Sequence, residues 1–196
     1  MQAFNHKMGQ KIRTDVVGKS LDRSFIAHFQ VAAADAVATS NIAVLAATAM
    51  TSEAQVITED ITNPAVPRNL IVKGNASGIT GDVVIEGTNI AGEAISETIA
   101  LNGATAVEGN KAFATVTEIN LPVEVHAGTD TVSVGFGNKL GMPFKLAHNT
   151  VLAAYLDNAI EGTAPTVTLS TTAVESNTIK LNSALNEKVV DAYLIV

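Results

Sequence analysis

From Val66 to its C-terminus the chain is a succession of short segments rich in β-branched residues, each closed by Gly, Asn or Pro. Segments spaced at about ten residues with turn formers between them are the pattern of a β-sandwich or barrel. The segments read as strands are Arg68–Gly74, Asp82–Thr88, Glu93–Leu101, Ala112–Leu121, Thr131–Phe136, Thr150–Leu156, Thr166–Ser170, Thr178–Leu181 and Val189–Val196. No 10–15-residue helical pattern alternates with them, which argues against a doubly wound α/β fold. Between the second and third, Asn89–Ile90–Ala91–Gly92 reads as a hairpin loop whose glycine takes positive φ.

Period-2 alternation assigns faces. In AFATVTEINL, Phe113, Thr115, Thr117, Ile119 and Leu121 share one face, and Ala114, Val116, Glu118 and Asn120 the other. The closing VVDAYLIV is apolar on both faces, which predicts a strand that is central or covered by a neighbour. Upstream, Ala32–Met50 is Ala-rich enough for a helix on propensity. Its recurring Val, Ile, Thr and Asn favour β-structure with at most a short helix, and Gln55–Ile61 alternates like a strand. The reading is all-β: a β-sandwich or barrel-like body over residues 31–196 as one domain, preceded by an extended basic N-terminal arm over residues 1–30.

Charge separates these two parts. Lys7, Lys11, Arg13, Lys19 and Arg23 against Asp15 and Asp22 leave the arm at +3, while the rest of the chain, with 7 basic and 17 acidic side chains, stands at −10. Either the arm is a solvated tail or it docks on a partner. Phe4, Phe25, Ile26 and Phe29, which need burial, favour docking. Lys11, Arg13, Lys19 and Arg23 are the arm's candidate partner contacts. Charged residues are 16% of the chain, below the roughly 25% typical of soluble domains, so the surface is one expected to be covered by partners or by copies of itself.

Chemistry-bearing patterns are scarce. There is no cysteine, so no disulfide, thiolate ligand or thiol nucleophile. His6, His28, His126 and His148 are scattered without metal-ligand spacing. No G-x-S-x-G elbow is present. Glu93 and Glu97 fall on one side of a hairpin strand, the pattern of a solvated face. Gly135–Phe136–Gly137–Asn138–Lys139–Leu140–Gly141 is spaced G-x-G-x-x-x-G, and Met142–Pro143 follows in place of a helix, so it is not a phosphate cradle. It reads instead as a tight exposed connection, a contact element with Phe136 and Leu140 as apolar anchors and Lys139 at the rim. Only the arm is basic, which disfavours nucleic-acid binding. No secretory leader or 18-residue apolar run is visible. The chain is therefore expected to have no enzymatic activity, cofactor, metal, nucleic-acid or membrane partner.

Five phrases, NPAVPRNL (63–70), GDVVIEGTNIAGEAISETI (81–99), KAFATVTEI (111–119), GFGNKLGMPFKLAHNTVLAAYLDN (135–158) and APTVTLSTTAVESNTIKLNSALN (164–186), resemble the accessory capsid proteins of tailed bacteriophages. Together they cover roughly two-thirds of the chain, and the segment from Gly135 is the most specific. Related sequences often place Trp and Asp where this chain has Phe136 and Asn138. The resemblance implies a virion structural protein, made in the host cytoplasm and placed on the capsid surface. There it would bind the major capsid protein lattice as a decoration or cement protein and stabilise the head. It would pair with itself as a small homo-oligomer such as a trimer, or remain monomeric until a lattice is offered. The alternatives are a tail, neck or baseplate component and, further off, a carbohydrate-binding β-module, for which a chain without Trp is poorly equipped.

Overall fold

The computed structural model describes residues 11–13, 15–18, 20–22 and 24–196. It is nearly all β, with 47% of the chain in strands and 2% in helix. In chain order the strands are β1 (Lys11–Arg13), β2 (Ser20–Asp22), β3 (Ile26–Val31), β4 (Ser40–Ala49), β5 (Gln55–Ile57), β6 (Arg68–Gly74), β7 (Asp82–Thr88) and β8 (Ala94–Ala100). They continue with β9 (Val107–Glu108), β10 (Thr115–Leu121), β11 (Thr131–Gly141), β12 (Val151–Leu156), β13 (Ala159–Ile160), β14 (Thr166–Thr168), β15 (Thr178–Lys180) and β16 (Val190–Ile195). A 3-10 turn occupies Val174–Ser176.

All strand pairings among the described residues are antiparallel. One sheet runs β5-β10-β7-β8, a second β14-β15-β11-β6-β9 with β4 also on β11, and a third β13-β12-β16-β3; β1 pairs with β2. The first sheet and the β4-β11-β6 part of the second enclose one core. Val83, Ile85, Ile99, Val116, Ile119 and Leu121 there meet Val44, Leu45, Leu70, Val72, Val132, Val134 and Phe136. The third sheet closes over the other end of the second sheet, and Val31, Leu156, Val190, Ala192 and Leu194 pack with Leu140, Met142, Ile179 and Leu181. Strand β11 runs through both cores. It pairs with β6 along one edge, and on the other with β4 and then, at Leu140 and Gly141, with β15.

Three sequence expectations hold closely. Strands β6 and β7 span the predicted residues, and β16 is central, between β12 and β3. Gly92 takes φ +78°, and Asn89, itself buried, holds the loop by accepting hydrogen bonds from the Ala91 and Glu93 amides.

Three expectations are corrected. Residues 26–30, assigned to the arm, form β3 together with Val31, in register with β16 from Ile26 opposite Ile195 to Val31 opposite Val190. Ala27, Phe29 and Val31 pack on the second core, so this strand belongs to the body. In β10 the register shifts between Val116 and Glu118, which turns Val116 into the same core as Ile119 despite the odd spacing. Across from this bulge the partner is Gly87, where a Cβ would lie 1.9 Å from the Thr115 carbonyl oxygen. The third correction is the Gly135–Gly141 segment, which is strand and not an exposed connection.

Candidate interaction surfaces

Strand β11 explains why a glycine-rich phrase is not a turn. Gly135, Gly137 and Gly141 have no positive φ; they are glycines because other chain segments crowd them. A Cβ on Gly135 would stand 1.7 Å from the Ser40 carbonyl oxygen, and one on Gly137 2.1 Å from Asn69 Oδ1. The register between β11 and β6 slips between Phe136 and Leu140, and the buried Asn69 fills the slip. Its Oδ1 accepts from the Lys139 amide at 2.9 Å, and its Nδ2 donates to the Gly109 carbonyl at 3.1 Å.

Phe136 is buried in the first core and Leu140 in the second, so neither is available as an apolar anchor for a partner. Burying a side chain of this size stabilises by about 1.5–3 kcal/mol. Lys139 is half-buried. Its Nζ donates to the Gly109 carbonyl and Asn110 Oδ1, both at 2.9 Å, and lies 3.7 Å from Glu108, which Lys180 approaches at 3.4 Å. Its polar contacts are therefore internal. Lys11 and Arg13 lie at the two ends of β1, while Lys19 and Arg23 lie outside the described residues. Of the candidate set, the Phe136–Leu140 group lies within the folded body.

At the junction of the cores, Arg68 is only 1% exposed. Its guanidinium donates to the carbonyls of Gly137 and Val37 and lies 5.5 Å from the Phe136 ring centroid. Among the described residues no carboxylate pairs with it. Burial lowers its pKa to about 10, which leaves it charged at neutral pH. Its hydrogen bonds tie β11 to the segment before β4.

The surface that sequence reading missed is the outer face of the sheet β13-β12-β16-β3. Register places Ile26, His28 and Gln30 beside Ile195, Tyr193 and Asp191, with Ala153 and Tyr155 on the next strand. His28 stacks on Tyr193 at 4.7 Å, and Tyr155 meets Tyr193 edge-on at 6.2 Å. Asp191 Oδ1 binds His28 Nε2 at 2.7 Å and accepts from Gln30 Nε2 at 2.8 Å. Around this polar centre stand exposed apolar side chains: Ile26 (69%), Ile160 (66%) and Leu152 (57%). Tyr193 and Ile195 were visible in the two-sided pattern of VVDAYLIV. The rest was not, because β3 lay in a stretch read as arm.

Glu97 is spoken for: its carboxylate accepts from the Asn110 and Lys111 amides. Among the described residues no group of three or more His, Asp or Glu is placed to hold a metal ion, and no helix is long and apolar enough to cross a membrane.

A buried carboxyl outside these surfaces gives a pH expectation. Desolvation raises the pKa of Asp130, but hydrogen bonds from the His126 amide and imidazole and the Val125 amide, with the nearby imidazole charge, outweigh it and lower the pKa overall. A carboxyl lowered in the folded state stabilises above its unfolded value of about 3.9 and loses that contribution as pH falls through the folded one. The melting temperature should therefore fall on acidification below about pH 4. Asp130→Asn should flatten that part of a thermal-melt pH series while lowering stability at pH 7.

Comparison with protein-family models, with curated proteins and with solved structures returns no match.

Proposed function

We propose that this chain is a structural component of a tailed-phage virion, a decoration or cement protein that binds the major capsid protein lattice at the head surface and associates with its own copies. The observation that carries this reading is the outer face of the sheet β13-β12-β16-β3. There Ile26, Leu152, Ile160 and Tyr193 are exposed around a His–Asp–Tyr centre, and large exposed apolar side chains gathered on one sheet face mark contact sites. The charge division supports it, since a +3 arm on a −10 body gives each copy a cationic element suited to the acidic surface of a neighbour. Weak contacts repeated on a symmetric lattice add through multivalency. No residue is assigned a catalytic role.

The experiment is co-sedimentation of purified protein with undecorated heads, for the full chain and for a variant lacking residues 1–24, at low and high salt. The truncation leaves β3 intact and should leave the body folded, while occupancy at limiting protein falls several-fold. A single Lys11→Ala should change occupancy little, because one exposed ion pair is worth about 0–1 kcal/mol. Raised salt should reproduce part of the truncation's effect by screening beyond about 8–10 Å. Equal occupancy of both proteins at both salt levels would remove the arm from the account.

A further inference from the structure

An amine, a carboxamide and a carboxylate converge where the turn after β9 meets β11. Lys139 Nζ donates to Asn110 Oδ1 at 2.9 Å and lies 3.7 Å from Glu108 Oε2. A carbonyl carbon stands about 1.2 Å from its oxygen, so Asn110 Cγ lies within about 4 Å of the amine. Among the described residues Lys139 is the one lysine hydrogen-bonded to a side-chain amide. An amine in contact with a carboxamide and flanked by a carboxylate has the three groups that amide exchange needs: nucleophile, acyl group and proton carrier.

Both reacting groups are held by the backbone around them. The Lys139 amide donates to Oδ1 of the buried Asn69, whose Nδ2 donates to the Gly109 carbonyl. That same carbonyl accepts from Lys139 Nζ at 2.9 Å, which fixes the far end of a side chain only 18% exposed. On the other side, Gly109 donates its amide to the Leu70 carbonyl at 2.8 Å, and Asn110 donates its own to Glu97 Oε1 at 2.6 Å. A Cβ on Gly109 would stand 2.5 Å from Glu97 Oε2, so the turn that presents Asn110 is packed closely against Glu97. Two groups held this way meet at an effective concentration many orders of magnitude above that of free reactants.

We propose that Lys139 and Asn110 of the folded chain join through an isopeptide bond, a self-modification in which Glu108 carries the proton. The Lys139 ammonium passes one proton to Glu108, and their 3.7 Å separation is closed by one water or a small side-chain rotation. The freed Nζ lone pair attacks Asn110 Cγ, the Nζ–Cγ bond forms, and the carbonyl electrons move onto Oδ1. A second Nζ proton passes to Nδ2, the carbonyl re-forms, and the Cγ–Nδ2 bond breaks to release ammonia. Ammonia then takes the proton that Glu108 holds and leaves as ammonium, so no oxidant, reductant or co-reactant is consumed. Asn110 is exposed, which opens the leaving group directly to solvent. The bond closes a ring from residue 110 to residue 139 that contains all of β10, ties the turn after β9 to β11, and restricts the unfolded chain.

Mass spectrometry of the full chain reads the bond directly. Trypsin cuts after Lys73, Lys111 and Lys145 but not after a lysine whose Nζ is acylated. Peptides 74–111 and 112–145 should therefore emerge as one joined species, lighter than their sum by one ammonia, in most molecules of aged protein. Ammonia lost anywhere else in the chain does not join these two peptides. Lys139→Arg keeps the cation and should give no joined species. Glu108→Gln keeps both reacting groups and should give at least ten-fold less of it at the same age. Separate peptides with cleavage after Lys139, persisting after prolonged warming of the folded protein, would overturn the proposal, and this result is read on the unsubstituted chain whether or not the variants fold. Equal joining in Glu108→Gln would overturn it as well, because the proton would then take another route.

Discussion

Gly135→Ala should be among the most damaging single-methyl additions this chain can receive, with the folded form lost or its melting temperature lowered by roughly 8–16 °C. The added Cβ would sit 1.7 Å from the Ser40 carbonyl oxygen and 2.6 Å from the Asn41 carbonyl carbon. Both are backbone atoms, so no rotamer change relieves the overlap. Strand β4 would have to lift from β11, exposing Val44 and Leu45, which are 1% and 3% accessible. Overpacking commonly costs about 1–3 kcal/mol. A backbone clash between core strands belongs to the tail of about 4 kcal/mol or more, and a chain of this size loses about 2–4 °C per kcal/mol. Gly92→Ala is the control. Gly92 lies at positive φ with nothing within 4 Å of the added Cβ, so the cost is about 1–2 kcal/mol of local backbone strain. Differential scanning calorimetry on the two variants separates crowding from strain.

Arg68→Leu should lower the melting temperature by about 10 °C. The substitution keeps an apolar side chain at the junction but removes the donors to Gly137 and Val37. A buried carbonyl left without a partner costs about 1–3 kcal/mol, so the buried Gly137 carbonyl, with the part-buried Val37 carbonyl and the lost contact to Phe136, comes to about 3–5 kcal/mol. Arg68→Lys keeps a cation but not the planar fork that reaches both carbonyls, and should recover only part of the loss. Because no carboxylate is paired with Arg68 among the described residues, raised salt should change the wild-type melting temperature little through this group. A Leu variant as stable as wild type would mean that both carbonyls find other donors.

These two sites also mark the boundary of what could be read from the residues alone. Local alternation identified β6, β7, β12 and β16 because their inward residues are consistently apolar and their turns carry Gly, Asn or Pro. The central place of β16 followed from Tyr193 and Ile195 standing opposite Ala192 and Leu194. Strand β11 was cut short at Phe136 because the glycines that follow look like a turn from nearby sequence. Their reason is crowding by Ser40, Asn69 and Ala112, partners tens of residues away. The same error put Phe136 and Leu140 on the surface. Val116 was placed on the wrong face because a bulge breaks period-2 counting and leaves no mark in the strand that carries it. Strand β3 was hidden because Ile26–Gln30 follow the basic stretch without a turn signal, so Ile26 and Phe29 read as arm residues needing a partner and not as a strand of the body. The exposed sheet face could not be read before that strand was known.

The proposal of a lattice-binding virion protein makes its sharpest demand on copy number. The decisive measurement is the molar ratio of this chain to the major capsid protein in purified DNA-filled heads, by quantitative mass spectrometry with isotope-labelled peptides. A protein that decorates the lattice should be present at a fixed ratio within a few-fold of one per capsid subunit, and the ratio should drop when residues 1–24 are deleted. Absence from the heads, or a dozen copies or fewer per particle, as a neck or tail component would give, would contradict the account.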